Sequence, residues 1–314
     1  TEKLFGPELT QAFRDVKKAF DPNGIMNPGK IFDTPDIKDN LRHNDSYRTL
    51  KISTRLNFGP EGGFAEAIEM CNGVGACRKL HTGSMCPSYM ATQEEQHSTR
   101  GRANALRGML SGALPTKTFG SKYLSEILDL CLGCKSCKSE CPSNVDMAKI
   151  KYESLYQYHK NHTIPLSSKL ISYIHRMNSL SAPIAPLANA VTRSLPVRIL
   201  LEWILGIDRS RPMPRVARQT FQKWFENHRS REYNSRGKII LFHDTFMNFN
   251  HPSIGIAVTR LLEALGFEVV VLKNRKCCGR PMISKGLLDQ AGKNARHNVE
   301  LLLPYVQQGV KIVG

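Results

Sequence analysis

Four cysteines stand at Cys131, Cys134, Cys137 and Cys141, the last followed by Pro142, in the pattern C-x2-C-x2-C-x3-C-P. No other feature of the sequence restricts the chain so tightly. Three thiolates two residues apart let a tight loop wrap a cuboidal iron–sulfur cluster, and Gly133 permits the turn. The fourth cysteine leaves that loop, and in two-cluster ferredoxins it ligates the other cluster. Zinc is the competing occupant, but its cysteines usually come as two C-x2–4-C pairs separated by a longer loop. The pattern therefore predicts that Cys131, Cys134, Cys137 and Cys141 help hold a [4Fe–4S] cluster.

A second group precedes it. Cys71 and Cys77 have the spacing of the first and third ligands of the same pattern, Val74 stands where the second belongs, and Cys86-Pro87 follows an expanded loop. In the crossed arrangement Cys86 completes the set of Cys131, Cys134 and Cys137. Cys71, Cys77 and Cys141 are then left for a second cluster, either [3Fe–4S] or [4Fe–4S] with a ligand other than cysteine. The alternative is one cluster on Cys131–Cys141 and three spare thiols. His81, in the expanded loop, is either an iron ligand or a solvated side chain. Arg100, Arg102 and Arg107 either offset the negative charge of thiolate-bound clusters or form an exposed helix face.

Seven of the nine cysteines lie between residues 71 and 141. Such clustering, without a secretory signal, favours metal over disulfides and a reducing compartment. The expectation is a cytoplasmic location, with peripheral attachment to the inner face of the cell membrane as a variant. Hydrophobic residues make up 41% and charged residues 23%, a soluble globular balance with no apolar run long enough to span a bilayer. The sequence starts at Thr1 rather than Met, so it reads as a piece of something longer. The net charge is +17, and between Lys160 and Arg236 there are 13 Lys/Arg against 4 Asp/Glu. Such a stretch suits nucleic acid, anionic lipid or an acidic partner, or is simply a solvated helical face.

Periodicity divides the chain further. PELTQAFRDVKKAFDP puts Leu9, Phe13, Val16 and Phe20 on one helical face, and a polar linker covers residues 33–47. RTLKIST alternates weakly, as a short strand does. Ser98 reads as the N-cap of a helix through Leu106 and Leu110, residues 144–160 as another helix, and 165–230 as a Pro-punctuated helical region. From Lys238 the pattern alternates strand and helix: KIILFHD, then PSIGIAVTRLLEALGF, then EVVVLK, then a helix over 287–302, then KIV. This is a parallel α/β layer that stops in mid-unit at Gly314. Cys277-Cys278-Gly279 sits in one of its turns, as a metal or cluster site or as small core residues. Neither GxGxxG nor GxxxxGK[ST] occurs. The predicted fold is mixed: an α-helical ferredoxin-like [4Fe–4S] domain followed by a truncated parallel α/β domain. The boundaries are 1–47 (tail and linker), 48–160 (iron–sulfur), 161–236 (basic helical region) and 237–314 (partial α/β).

Three segments resemble known families. FDPNGIMNPGKIF resembles the C-terminal end of the FAD-linked oxidase fold of glycolate oxidase and D-lactate dehydrogenase. The Cys-rich unit, with CPSNVDMAKIKYE after its last ligand, is similar to the ferredoxin-like domain of glycolate oxidase iron–sulfur subunits and anaerobic glycerol-3-phosphate dehydrogenase. HDTFMNFNHPSIGIAVTRLLEALGFEVVVLKNRKCCGRP is similar to the CCG domain of heterodisulfide-reductase-like proteins. Together with MCNGVGACRK and STRGRANALR, the fusion most resembles large bacterial D-2-hydroxyglutarate or D-lactate dehydrogenases.

The resemblance implies a flavin-dependent oxidoreductase in which a D-2-hydroxy acid (D-2-hydroxyglutarate, D-lactate or glycolate) reduces FAD. Electrons then leave through iron–sulfur clusters to a quinone or other carrier. It implies that FAD and the catalytic residues belong to an oxidase domain upstream, so this chain alone is expected to be inactive. Two departures stand out: Val74 interrupts the first ferredoxin motif, and His243-Asp244 stands where the CCG family often has a cysteine. Two other classes compete. A non-enzymatic iron–sulfur carrier is one, and a nucleic-acid-associated iron–sulfur protein is the other. The lack of aromatic-interleaved basic loops argues against nucleic acid as a partner.

Overall fold

The computed structural model describes residues 2–39, 41, 43–44, 47–114, 121–229 and 236–314. The expected linker at 33–47 and basic stretch at 161–236 each include positions outside this set (40, 42, 45–46 and 230–235). The chain divides into two units, Thr1–Thr49 and Leu50–Gly314.

In the first unit, helix α1 spans Glu2–Phe20, broken at Gly6, where φ is 77° and Pro7 follows. Its expected apolar face is present but exposed, Phe20 most of all at 83%. Asp21 closes the turn after the helix, accepting from the Ile25 and Met26 amides and from Lys17.

The second unit opens without the strand expected at RTLKIST. Its backbone is satisfied by side chains of a distant helix instead. The buried carboxylate of Glu153 accepts from the Arg55 and Leu56 amides, and Gln157 donates to the Ser53 carbonyl at 2.9 Å. Both acceptor and donor sit on α3 (Met147–Asn161), which Asp146 caps by accepting from the Lys149 amide at 3.0 Å. Before it comes α2 (Thr99–Leu110), where Ser98 is the N-cap, accepting from the Gly101 amide at 2.9 Å. These helices and Phe64–Glu69 enclose a core of Phe58, Ile68, Leu106, Met109, Met147 and Ile150, in which Cys71, Cys77, Cys86 and Cys137 are themselves buried.

Short helices follow through the basic region, among them α4 (Ala185–Arg193) and α5 (Leu195–Leu205). Strands β1 (Lys238–Leu241), β2 (Glu268–Val270) and β3 (Lys311–Val313) then form one parallel sheet in the order β2-β1-β3. Register pairs Ile239 with Val269 and Ile240 with Ile312. The connections are α6 (Pro252–Ala264) and α7 (Leu288–Gln307). Parallel strands require such crossovers, which is why the sequence alternates as it does. A second core gathers Phe221, Ile239, Leu241 and Val269, and Gly255 of α6 packs directly on the Phe221 ring. Asp289 of α7 accepts from Arg55 at 2.8 Å and from the Tyr156 hydroxyl at 3.1 Å, tying the sheet region to α3.

Candidate iron–sulfur site

Cys86, Cys131, Cys134 and Cys137 line a single cavity, part of it open to solvent. Cys131 and Cys134 come from the loop before the short helix Ser136–Glu140 and Cys137 from its first turn; the loop takes the left-handed region at Gly133 (φ 64°) and again at Lys135 (φ 65°). The fourth arrives from 45 positions earlier in the chain, at the N-cap of the helix Pro87–Thr92. Glu140 pins the loop that carries it: its carboxylate accepts from the Ser84 amide (2.9 Å), the Ser84 hydroxyl (2.6 Å) and the Met85 amide (3.1 Å). Those bonds, the hydroxyl's foremost, hold the Glu140 carboxyl below its ordinary range.

Two buried cations, Arg102 and Lys151, bond the residues around this cavity, and Arg102 also lines it. Arg102 is 1% exposed. It donates to the Ser88 hydroxyl (2.9 Å) and the Ile127 carbonyl (3.1 Å), and Nη1 lies 3.5 Å from Cys86 Sγ. Lys151 of α3, also buried, donates to the Cys131 carbonyl at 2.6 Å and the Asp129 carbonyl at 3.1 Å. Burial pushes the Lys151 ammonium below its usual range. Tyr152 donates to the Gly133 carbonyl at 3.3 Å. Burial also drives the Cys137 thiol up to about 11, against the pull of the Met147 and Ala148 amides. A buried thiol of this kind loses its proton only where a cation compensates it.

Cys71 and Cys77 are buried nearby, on a loop that α2 holds. The Arg100 amide donates to Cys77 Sγ at 3.4 Å and its side chain to the Gly73 carbonyl at 3.1 Å, while Arg107 donates to the Cys71 carbonyl at 3.0 Å. Of the two readings of the arginines, the exposed helix face does not hold for Arg102 and Arg107, which are buried. Val74 is 63% exposed and leaves that side of the loop without a ligating atom. Cys141 is half-buried against the same core, and His81 is exposed.

Cys277 and Cys278 lie elsewhere, where the segments after β1 and β2 meet. Cys277 is buried and accepts from the Thr245 hydroxyl at 3.3 Å, and Cys278 is exposed. The neighbouring Cys278 thiol, then Thr245 and the Gly279 amide, lower the Cys277 thiol, and the same contact raises Cys278. Among the described residues no three His, Cys, Asp or Glu side chains converge as around a single ion. The ferredoxin-type cysteines instead ring a cavity.

Residues 67–145 match the 4Fe-4S dicluster domain. Residues 1–31 match the C-terminal domain of FAD linked oxidases, and residues 240–312 match the cysteine-rich domain. Stretches similar to three domain families meet in this one chain. It is 36% identical to one of the subunits of the anaerobic glycerol-3-phosphate dehydrogenase of Escherichia coli, over 54% of this chain and 42% of that protein. It is 27% identical to the D-2-hydroxyglutarate dehydrogenase of Escherichia coli over 99% of this chain and 35% of that one. The probable glycolate oxidase iron-sulfur subunit of Bacillus subtilis is 25% identical over 68% of this chain and 50% of its own length. The chain thus spans half or less of each of these relatives. No solved structure gives a significant match.

Sequence reasoning found the cysteines but missed Lys151, Tyr152 and Glu140. The pattern CPSNVDMAKIKYE carries Lys151 and Tyr152 on the helix that faces the cysteine loop, a signal visible only once that helix is placed on the loop.

Proposed function

We propose that this chain is the electron-transfer section of a flavin-dependent oxidoreductase that oxidises a D-2-hydroxy acid: D-2-hydroxyglutarate, D-lactate or glycolate. The donor is FAD in an oxidase domain joined to residues 1–47, and the acceptor is a quinone or another carrier. The observation that carries this reading is the cavity in which Cys86 joins Cys131, Cys134 and Cys137. Those four are the ligands of a [4Fe–4S] cluster in a ferredoxin-like domain over 48–160. A cluster bound there supplies reversible one-electron transfer. Arg102 and Lys151 offset thiolate charge, Gly133 and Tyr152 shape the loop, and Glu140 holds Cys86 in reach.

Cys71, Cys77 and Cys141 hold the second cluster, with Val74 at its open corner. Residues 237–314 form the CCG-type domain, whose Cys277–Cys278 pair is a secondary metal candidate. The relatives' names, which speak of a D-2-hydroxyglutarate dehydrogenase and of iron–sulfur subunits, support the substrate class and the role. The basic region 161–236 is the surface that meets an anionic lipid or an acidic partner on the cytoplasmic side.

The test uses the chain purified without oxygen. It should be brown, bleach on reduction with dithionite, and recover its colour when a soluble quinone is added. It should give no colour change with D-lactate or D-2-hydroxyglutarate, even with free FAD. A colourless protein holding stoichiometric zinc would sink the reading, and so would turnover of the hydroxy acid by this chain alone.

A further inference from the structure

Helix α5 has the sequence LPVRILLEWIL, and none of its residues is buried. Its exposed positions fall on one side: Leu195 at 60%, Ile199 at 42%, Leu200 at 50%, Trp203 at 83% and Ile204 at 48%. Their spacing alternates between a helical turn and a single step, which on a helix makes one broad stripe. Only two charged residues occur in α5, and both are turned off the stripe. Arg198 donates to the Arg209 carbonyl, and Glu202 pairs with Arg209. The opposite side carries Val197, Leu201 and Leu205, half-buried against the protein. A helix apolar all round is normally buried, yet half of this one faces outward. Preceding α4 also exposes apolar side chains, Leu187 at 62% and Val191 at 46%.

The surroundings of this patch select its occupant. Exposed Arg193 ends α4, and exposed Arg209, Arg211 and Arg215 follow α5. Cations bordering an apolar face with a tryptophan on it match the headgroup–acyl boundary of an anionic bilayer. At 11 residues, α5 is about 16 Å long, roughly half the thickness of a bilayer core. Among the described residues no helix is long and apolar enough to cross a membrane.

We infer that α4 and α5 form an in-plane anchor that inserts its apolar stripe, Trp203 included, into an anionic lipid surface. This rests on reading the basic region as a docking surface, and it commits that surface to lipid. The anchor holds the chain where a lipid-soluble carrier is concentrated.

The test takes the full chain carrying Trp224→Phe, which leaves Trp203 as the sole tryptophan, and adds phosphatidylcholine vesicles with and without phosphatidylglycerol. Trp203 emission should shift to the blue, be quenched by lipids brominated along the acyl chain, and show tighter binding when phosphatidylglycerol is present. Leu195→Ser with Leu200→Ser should weaken binding at least tenfold with circular dichroism unchanged. Arg193→Glu with Arg211→Glu should remove most of the preference for phosphatidylglycerol.

Unshifted emission with no sedimentation on vesicles overturns the anchor. Vesicle binding with Trp203 unquenched overturns insertion and leaves charge alone. A dimer in sedimentation equilibrium that the Leu195 and Leu200 changes dissolve, with no lipid binding, assigns the face to a second copy and also overturns it. Iron content and reoxidation by a soluble quinone are read in the same samples without vesicles. They report the electron-transfer reading separately, whichever way the lipid result falls.

Discussion

Arg102 Nη1 lies 3.5 Å from Cys86 Sγ, at the back of the cavity that Cys131, Cys134 and Cys137 complete. A fixed positive charge at that distance favours added electrons. At an effective dielectric near 20 it raises a midpoint potential by on the order of 100 mV. Arg102→Met should lower the potential of the cluster by that order, and Arg102→Lys by clearly less. The neutral variant also removes the donors to Ser88 Oγ and the Ile127 carbonyl, so it should lose about 2 kcal/mol of stability. Redox titration followed by electron paramagnetic resonance checks the shift. An unchanged potential in Arg102→Met with full iron content would separate the arginine from the cluster.

Gly133 has φ 64°, and a Cβ there would stand 2.6 Å from the Tyr152 hydroxyl. Gly133→Ala combines a backbone penalty of about 1 kcal/mol with a clash in the loop itself. It should retain less than half of the iron bound by the parent chain. Adding Tyr152→Phe removes the clashing hydroxyl and should restore part of that loss. Equal iron content in Gly133→Ala and the parent would contradict the role of this loop.

Val74 occupies the position where the first motif lacks a thiolate, and it is 63% exposed. Val74→Cys should convert the second site toward an ordinary [4Fe–4S] cluster, with one more iron per chain if the parent site holds three. Cys141→Ser should damage that second site and spare the first. Magnetic resonance spectra that do not change in Val74→Cys would leave Cys71 and Cys77 as plain core thiols.

Some of this was legible in the sequence, for physical reasons. Cluster cysteines obey a spacing set by the size of the cube. The segment at 238–241 is apolar enough to be a strand covered on both faces, three of its four residues being buried. The segment at 48–54 misled because its neighbouring amides are satisfied by Glu153, about a hundred residues away, which no local pattern reports. Arg102 is open to two readings in the sequence: an arginine on a helix reads as well exposed as charge-offsetting until Cys86, Ser88 and the Ile127 carbonyl are brought to it. Periodicity on Leu200 and Ile204 marks an apolar face but does not say whether protein covers it. Here both side chains stay about half exposed.

His243 is 1% exposed, and its Nδ1 is buried without a hydrogen-bond partner. Burial, aided by Arg275, lowers its pKa to about 3. The unfolded chain therefore takes up a proton below about pH 6.5 that the folded chain refuses, so stability falls as pH drops from there toward 3. Between pH 6.5 and 4.5 this amounts to about 2–3 kcal/mol. His243→Phe should flatten that limb of the curve. Urea denaturation at the two pH values, parent against variant, measures it, and parallel curves would refute the assignment.

The central claim is that Cys86 completes the set of Cys131, Cys134 and Cys137. Iron and acid-labile sulfide, measured per chain after anaerobic reconstitution of the parent and of Cys86→Ser, test it most directly. Two clusters predict about seven to eight irons in the parent and a loss of about four in Cys86→Ser. That loss should match the one in Cys134→Ser, with the remaining signal that of the second site. About four irons in both parent and Cys86→Ser, with Cys71→Ser and Cys77→Ser silent as well, would contradict the account.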